Sequence, residues 1–196
     1  MTIDSGGQKW FMQFMSSVQK NEMAVPLREA AQKGSLKKWT EAITTVVTET
    51  CLAMGWQPVA KGYPCDFLPE TKQEYLGIDV MAFEGDKDTP WRYPVAVFEL
   101  ENSPQDDRVA YALWKVMCIR SRMKVMICYR KNSEDGNGLV HKLRKDVIDS
   151  LGLIDKTKLD GDTMIIVGTR DETPAFPYGF FKGWYLDKNT CKFVRQ

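Results

Sequence analysis

The chain has 196 residues, 43% of them hydrophobic and 27% charged, with 27 Lys and Arg set against 26 Asp and Glu for a formal charge of +1. These proportions exclude a disordered or fibrous chain, and at this length folding buries roughly 70% of the unfolded chain's surface, enough for one core without staples. The near-neutral balance excludes a molecule whose overall field attracts polyanions, so any contact with nucleic acid has to come from local clusters of charge.

The longest apolar runs, such as 94–100 and 164–168, fall far short of the ~18 residues of a membrane span, and no basic segment followed by an apolar one opens the chain. Cysteines at 51, 65, 118, 128 and 191 form no Cys-x-x-Cys pair and have a single histidine, His141, to join them. That pattern argues against a disulfide framework and a zinc cluster, and it predicts a reducing, intracellular, cytoplasmic setting with no membrane partner.

Residues 8–19 space Trp10, Phe11, Phe14, Met15 and Val18 along one face of a short helix. Ser35 is placed to cap a longer helix that runs to about Met54 and is stopped by Gly55. Its apolar stripe is Trp39, Ala42, Ile43, Val46, Val47, Thr50 and Ala53, and Glu49 falls on that stripe as a core-facing carboxylate. From Trp56 the pattern changes to β-type runs at 56–63, 74–83 and 93–101, separated by turn-rich segments holding Pro64, Pro69, Gly85 and Pro90.

Pro104, Asp106 and Asp107 then open a helix on which Val109, Ala112, Leu113, Val116 and Met117 recur at helical spacing, as far as about Arg122. The run 124–129 (KVMICY) reads as a strand buried on both faces. Residues 130–138 (RKNSEDGNG) read as a charged loop, 138–151 as a helix ended by Gly152, 164–168 as a strand, and 180–186 as the site of a last aromatic pair of strands. No repeat or linker divides the chain. The expected fold is therefore α/β, one domain over 1–196, with a central mixed β-sheet flanked by helices.

Two of the predicted strands become acidic where they leave the core: Ile78-Asp79-Val80, and Val97-Phe98-Glu99-Leu100-Glu101. A carboxylate withdrawn from water costs several kcal/mol unless it is paired, hydrogen-bonded or protonated. Glu99 and Glu101 are two apart and share a strand face, and no Lys or Arg lies between 95 and 103 to neutralise them. Asp79, Glu99 and the carbonyl of Leu100 form a hard-oxygen ligand set that suits Mg²⁺ or Mn²⁺ and suits Zn²⁺ poorly. Such an ion lowers the pKa of an attacking water and offsets charge on a pentacovalent phosphate.

Gly77-Ile78-Asp79, nineteen residues, then Glu99-Leu100-Glu101, a helix and the buried strand at 124–129 resemble the PD-(D/E)xK nuclease superfamily. The resemblance covers about 35–129 and implies a restriction-endonuclease-like αβββαβ core, with 138–196 as an extension. It matches Asp79 and Glu99 to the two metal-binding acids, and places Glu101 where that family usually has Lys. In Glu-x-Glu members of the superfamily the second acid is a metal ligand or general base, which is the role implied for Glu101. Glu49 matches the acid that many members carry on the first helix. The implied activity is metal-dependent hydrolysis of phosphodiester bonds, with DNA favoured over RNA. The alternative is an inactive nuclease-like module for nucleic-acid binding or assembly, because the motif lysine is missing.

Lys61, Arg108, Lys115, Arg120 and Arg122 are the candidate phosphate contacts, each weighed against an ordinary solvated role. Arg120, Arg122, Lys124, Arg130 and Lys131 are expected to gather at one helix-to-strand junction, with Lys142, Arg144 and Lys145 on the next helix. The aromatic run at 176–185 reads as core or as an oligomer interface, which leaves a homodimer open.

Overall fold

The computed structural model describes residues 6–68, 74–85 and 91–196; the predicted turn prolines Pro69 and Pro90 lie outside them. Three helices lead: α1 (Gly6–Gln19), α2 (Asn21–Gln32) and α3 (Leu36–Ala53). An antiparallel meander follows, of β1 (Trp56–Ala60), β2 (Val80–Glu84) and β3 (Ala96–Glu101). Helix α4 (Asp106–Met117) crosses over to β4 (Met123–Arg130), which lies parallel to β3. Helices α5 (Ser133–Leu143) and α6 (Leu153–Thr157) precede β5 (Asp162–Thr169), parallel to β4. Strands β6 (Phe181–Asp187) and β7 (Lys192–Arg195) close the chain as antiparallel neighbours. Among the described residues the seven strands form one mixed sheet in chain order.

Strand alternation sends residues to two apolar layers. Phe98, Val125, Ile127 and Ile166 pack under α1 and α3, against Trp10, Phe14, Ile43 and Val47. Val97, Met126, Cys128, Ile165 and Val167 face the other way, against Val109, Leu113 and Val116 of α4 and Leu139, Val140 and Leu143 of α5. In β4 only Arg130, at its end, escapes burial, as expected of a central parallel strand covered on both faces. Gly168 of β5 is fixed by space: a Cβ there would stand 2.6 Å from the Tyr129 ring and 2.7 Å from that of Phe180.

One helix was not foreseen and two local expectations are corrected. Helix α2 carries Pro26 and buries only Leu27 and Ala30, so it shows no apolar stripe to read. Residues 133–138, read as loop, are the first turns of α5: the Asn132 side chain accepts the Asp135 N–H at 2.9 Å, an N-cap that outweighs the two glycines. Gly136 there is buried against Val167. Glu49 is half-buried on α3, off the buried stripe that includes Val46, Val47 and Thr50, and so is not the core-facing carboxylate expected.

Candidate active site

Antiparallel pairing of β2 with β3 matches Val80 to Phe98, so the residue before β2 lies beside the carboxyl end of β3. That residue is Asp79. The Leu100 N–H donates to Asp79 Oδ2 at 2.7 Å, and the Asp79 N–H points back at Glu99 Oε1 at 3.4 Å. Glu99, two residues on from Val97, turns to the α4 side of the sheet, while Leu100 joins the opposite layer. Glu101 follows half-buried on the Glu99 side, and its Oε1 accepts the Ser103 N–H at 2.7 Å. Asp79 Oδ1 and Glu101 Oε2 keep their lone pairs clear of these backbone bonds.

Glu99 is only 5% exposed, and the cation that the strand itself lacks comes from α4: Lys115 Nζ lies 2.7 Å from Glu99 Oε2 and donates to the Gly77 carbonyl at 2.7 Å. Gly77 and Leu76 both hold positive φ, 65° and 54°, in the one-turn helix Tyr75–Gly77 that leads into Asp79. Burial pushes the Glu99 carboxyl up to about 7, Lys115 pulls against it and Asp79 adds to it. Asp79 is also raised, by burial first, with the Leu100 N–H opposing.

The structure thus brings Asp79, Glu99 and Lys115 together, with Glu101 close enough to raise Asp79 electrostatically. It does not bring Glu49 to them. Asn102 Nδ2 donates to Thr40 Oγ1 at 2.7 Å, which sets the end of β3 beside the Thr40 turn of α3. Glu49 lies nine residues further along that helix, roughly 13 Å at 1.5 Å per residue. Among the described residues no three acidic, histidine or cysteine side chains gather as a ready-made metal cluster. Of the three carboxylates expected from the motif, Asp79 and Glu99 are adjacent, with the Leu100 carbonyl beside them and Glu101 on the same face of β3. An octahedral Mg²⁺ that keeps several waters needs no more than one or two carboxylates, so these residues fit such an ion.

The remaining basic candidates divide by sheet end. Lys61 follows Ala60, the register partner of Val80, and is exposed at the end that holds the acids, as is Arg108 in the first turn of α4. Arg122, ion-paired with Glu84, and Arg120, over the Tyr93 ring at 4.4 Å, lie at the opposite end, beside the start of β4. Lys124 is 2% exposed and bonds the Ser121 carbonyl and Asp160, so it is a structural lysine. Arg130 is eight residues beyond Arg122, roughly 26 Å along an extended strand, and the single basic cluster expected there does not form. Arg130 instead bonds Asp106 at 2.6 Å and the Tyr129 carbonyl, and Lys142 shares Asp106 at 3.0 Å.

In the sequence Lys115 is only a candidate phosphate contact; its pairing with Glu99 joins residues sixteen apart. Its one sequence signal is its place at the flank of the buried α4 stripe, three residues after Ala112 and one before Val116.

No protein-family model and no curated protein sequence matches the chain. Solved structures do. NucC from E. coli MS115-1, in its cAAA-bound form, superposes with a TM-score of 0.51 at 14% identity, covering 98% of this chain and 83% of that one. NucC from P. aeruginosa ATCC27853, also cAAA-bound, gives 0.52 at 13% identity with the same coverage. Over nearly its whole length the chain shares the mixed-sheet α/β fold of these NucC structures.

Proposed function

We propose that this protein is a metal-dependent nuclease, acting on DNA in preference to RNA, with Asp79 and Glu99 as its metal-holding acids. The observation that carries the reading is the meeting of Asp79 and Glu99 at the carboxyl end of β3, with Lys115 Nζ 2.7 Å from Glu99. Solvated strand-end acids would not meet in this way, and a buried carboxylate beside a half-buried one, both with raised pKa values, marks a site that receives a cation or a proton. A bound Mg²⁺ or Mn²⁺ would supply a water of lowered pKa and positive charge for the phosphate. Asp79, Glu99 and the Leu100 carbonyl would hold it, their positions set by the Leu100 N–H and the strand pairing. Lys115 stands where it can exchange its hold on Glu99 for a phosphate oxygen, filling the role of the lysine missing from the strand. Glu101, braced through one oxygen, is left with the other to bind the ion or to take a proton from water.

The test is cleavage of single- and double-stranded DNA and RNA with Mg²⁺ or Mn²⁺ by the wild type and by Asp79→Ala and Glu99→Ala. Loss in both variants, with unchanged circular dichroism, is expected. Cleavage that survives both changes moves the chemistry elsewhere, and no metal binding with no cleavage of any substrate favours the inactive binding or assembly module.

A second reading concerns control. Both NucC structures hold cAAA, and at the sheet end away from the acids a groove of about 430 Å³ is lined by Arg92, Tyr93, Arg120 and Arg122, with Glu84 and Asp160 also in its wall, each already ion-paired. A small cyclic oligonucleotide is the first regulator to titrate there, with Arg120→Glu as the variant expected to weaken it.

A further inference from the structure

A second cavity, of about 660 Å³, opens at the same sheet edge as the acids but on the opposite face, between α2, α3 and the ends of β4 and β5. Its volume lies in the range of small-molecule sites, and the carboxyl ends of parallel strands are where open α/β sheets receive ligands. Trp39, Tyr129 and Phe180 give it an aromatic wall. Arg170 stands in the lining with no acid beside it there, and it forms no ion pair among the described residues. The nearby Glu172 is taken by Lys182 at 2.8 Å and by Ser133 at 2.9 Å.

Among the lining residues Asn102 Oδ1 is buried without a hydrogen-bond partner, and Trp39 Nε1 and Tyr129 Oη are buried with at most each other, in poor alignment, to pair with. Buried polar atoms left unpaired or poorly paired are rare in folded proteins because they forfeit hydration, and their gathering around one cavity marks a wall able to pair with a polar edge after small side-chain turns. Asn102 directly follows Glu101, and Glu99 lies three residues back, about 10 Å along the strand.

We propose that this cavity receives one unpaired nucleotide of the nucleic-acid substrate, its base against the Trp39, Tyr129 and Phe180 wall and its phosphate on Arg170. Aromatic faces stack any base, guanidinium forks match phosphate oxygens, and a base still paired in a duplex cannot enter such a pocket. The inference rests on the nuclease reading and sharpens it: the substrate is single-stranded, or is opened to let one base leave the stack, and its chain rounds the sheet edge from Asn102 to Glu99.

Binding of dAMP to the full-length chain, measured calorimetrically in the presence of a chelator, tests the pocket without any cleavage. Arg170→Glu, at an exposed position, and Ala31→Trp, which fills the cavity from α2, are each expected to weaken dAMP by about tenfold or more, while Asp79→Ala leaves it unchanged. Failure of dAMP to bind, or equal binding by both variants, overturns the pocket even if Asp79-dependent cleavage is present. Binding of dAMP by a wild type that cleaves nothing leaves the pocket standing and removes the nuclease reading instead. In a second assay the two variants are expected to raise KM for Mg²⁺-dependent cleavage of oligodeoxythymidine with kcat retained. Unchanged KM with dAMP still bound would assign the cavity to a free nucleotide and overturn its role in holding substrate.

Discussion

Replacing Lys115 with Met removes the cation from a carboxylate that is 5% exposed and leaves it only the long Asp79 N–H contact of 3.4 Å. The cost depends on the protonation of Glu99, which burial has pushed up to about 7 from an ordinary 4.5. Between those values the folded carboxyl holds a proton that the unfolded one has released, so stability falls as pH rises through the window. At pH 5.5 Glu99 is largely neutral in the folded wild type, and Lys115→Met loses about 1 kcal/mol, the worth of one hydrogen bond. At pH 8.5 the variant strands a buried negative charge, a loss of roughly 3–5 kcal/mol. The difference between the two pH values, about 2–4 kcal/mol, corresponds to roughly 5–15 °C in Tm for a domain of this size. Thermal and urea unfolding of wild type and variant, in chelator at both pH values, measures it, and adding Glu99→Gln to Lys115→Met should erase most of the pH 8.5 loss. Equal destabilisation at the two pH values, with no rescue by Glu99→Gln, would refute the idea that Lys115 neutralises Glu99.

In metal-free wild type, stability is expected to gain about 3 kcal/mol from Glu99 alone as pH falls from 8 to 4.5, and Glu99→Gln should remove that component from the unfolding profile. Excess Mg²⁺ should raise Tm, with about 2.7 kcal/mol gained at a hundredfold excess over Kd, and Asp79→Ala should abolish the rise in differential scanning calorimetry. Gly168→Ala forces a methyl group into the Tyr129 and Phe180 rings and is expected to cost roughly 1–3 kcal/mol by urea titration. Lys124→Met should change stability while leaving any cleavage rate on duplex or single strand intact, since its amine faces Ser121 and Asp160 inside the fold.

What the chain determined by itself is local or periodic. The stripes of α1 and α4, the stop at Gly55, the three-strand meander and the doubly buried β4 follow from spacing, because each rests on the geometry of one helix or strand. Asp79, Glu99 and Glu101 stood out for a similar reason: acids inside apolar runs are conspicuous without any partner in view. Helix α2 and the start of α5 were hidden because their stability comes from contacts elsewhere and from the Asn132 cap, against Pro26 and two glycines. Tertiary structure decided which charges meet. It brought Lys115 across from α4 to Glu99, carried Glu49 two turns or more away from the acids, sent Arg120 and Arg122 to the far end of the sheet, and buried Lys124 as a strut. Sequence separation says nothing of such pairings, because ion-pair energy depends on distance and burial, and both are set by how helices cross the sheet.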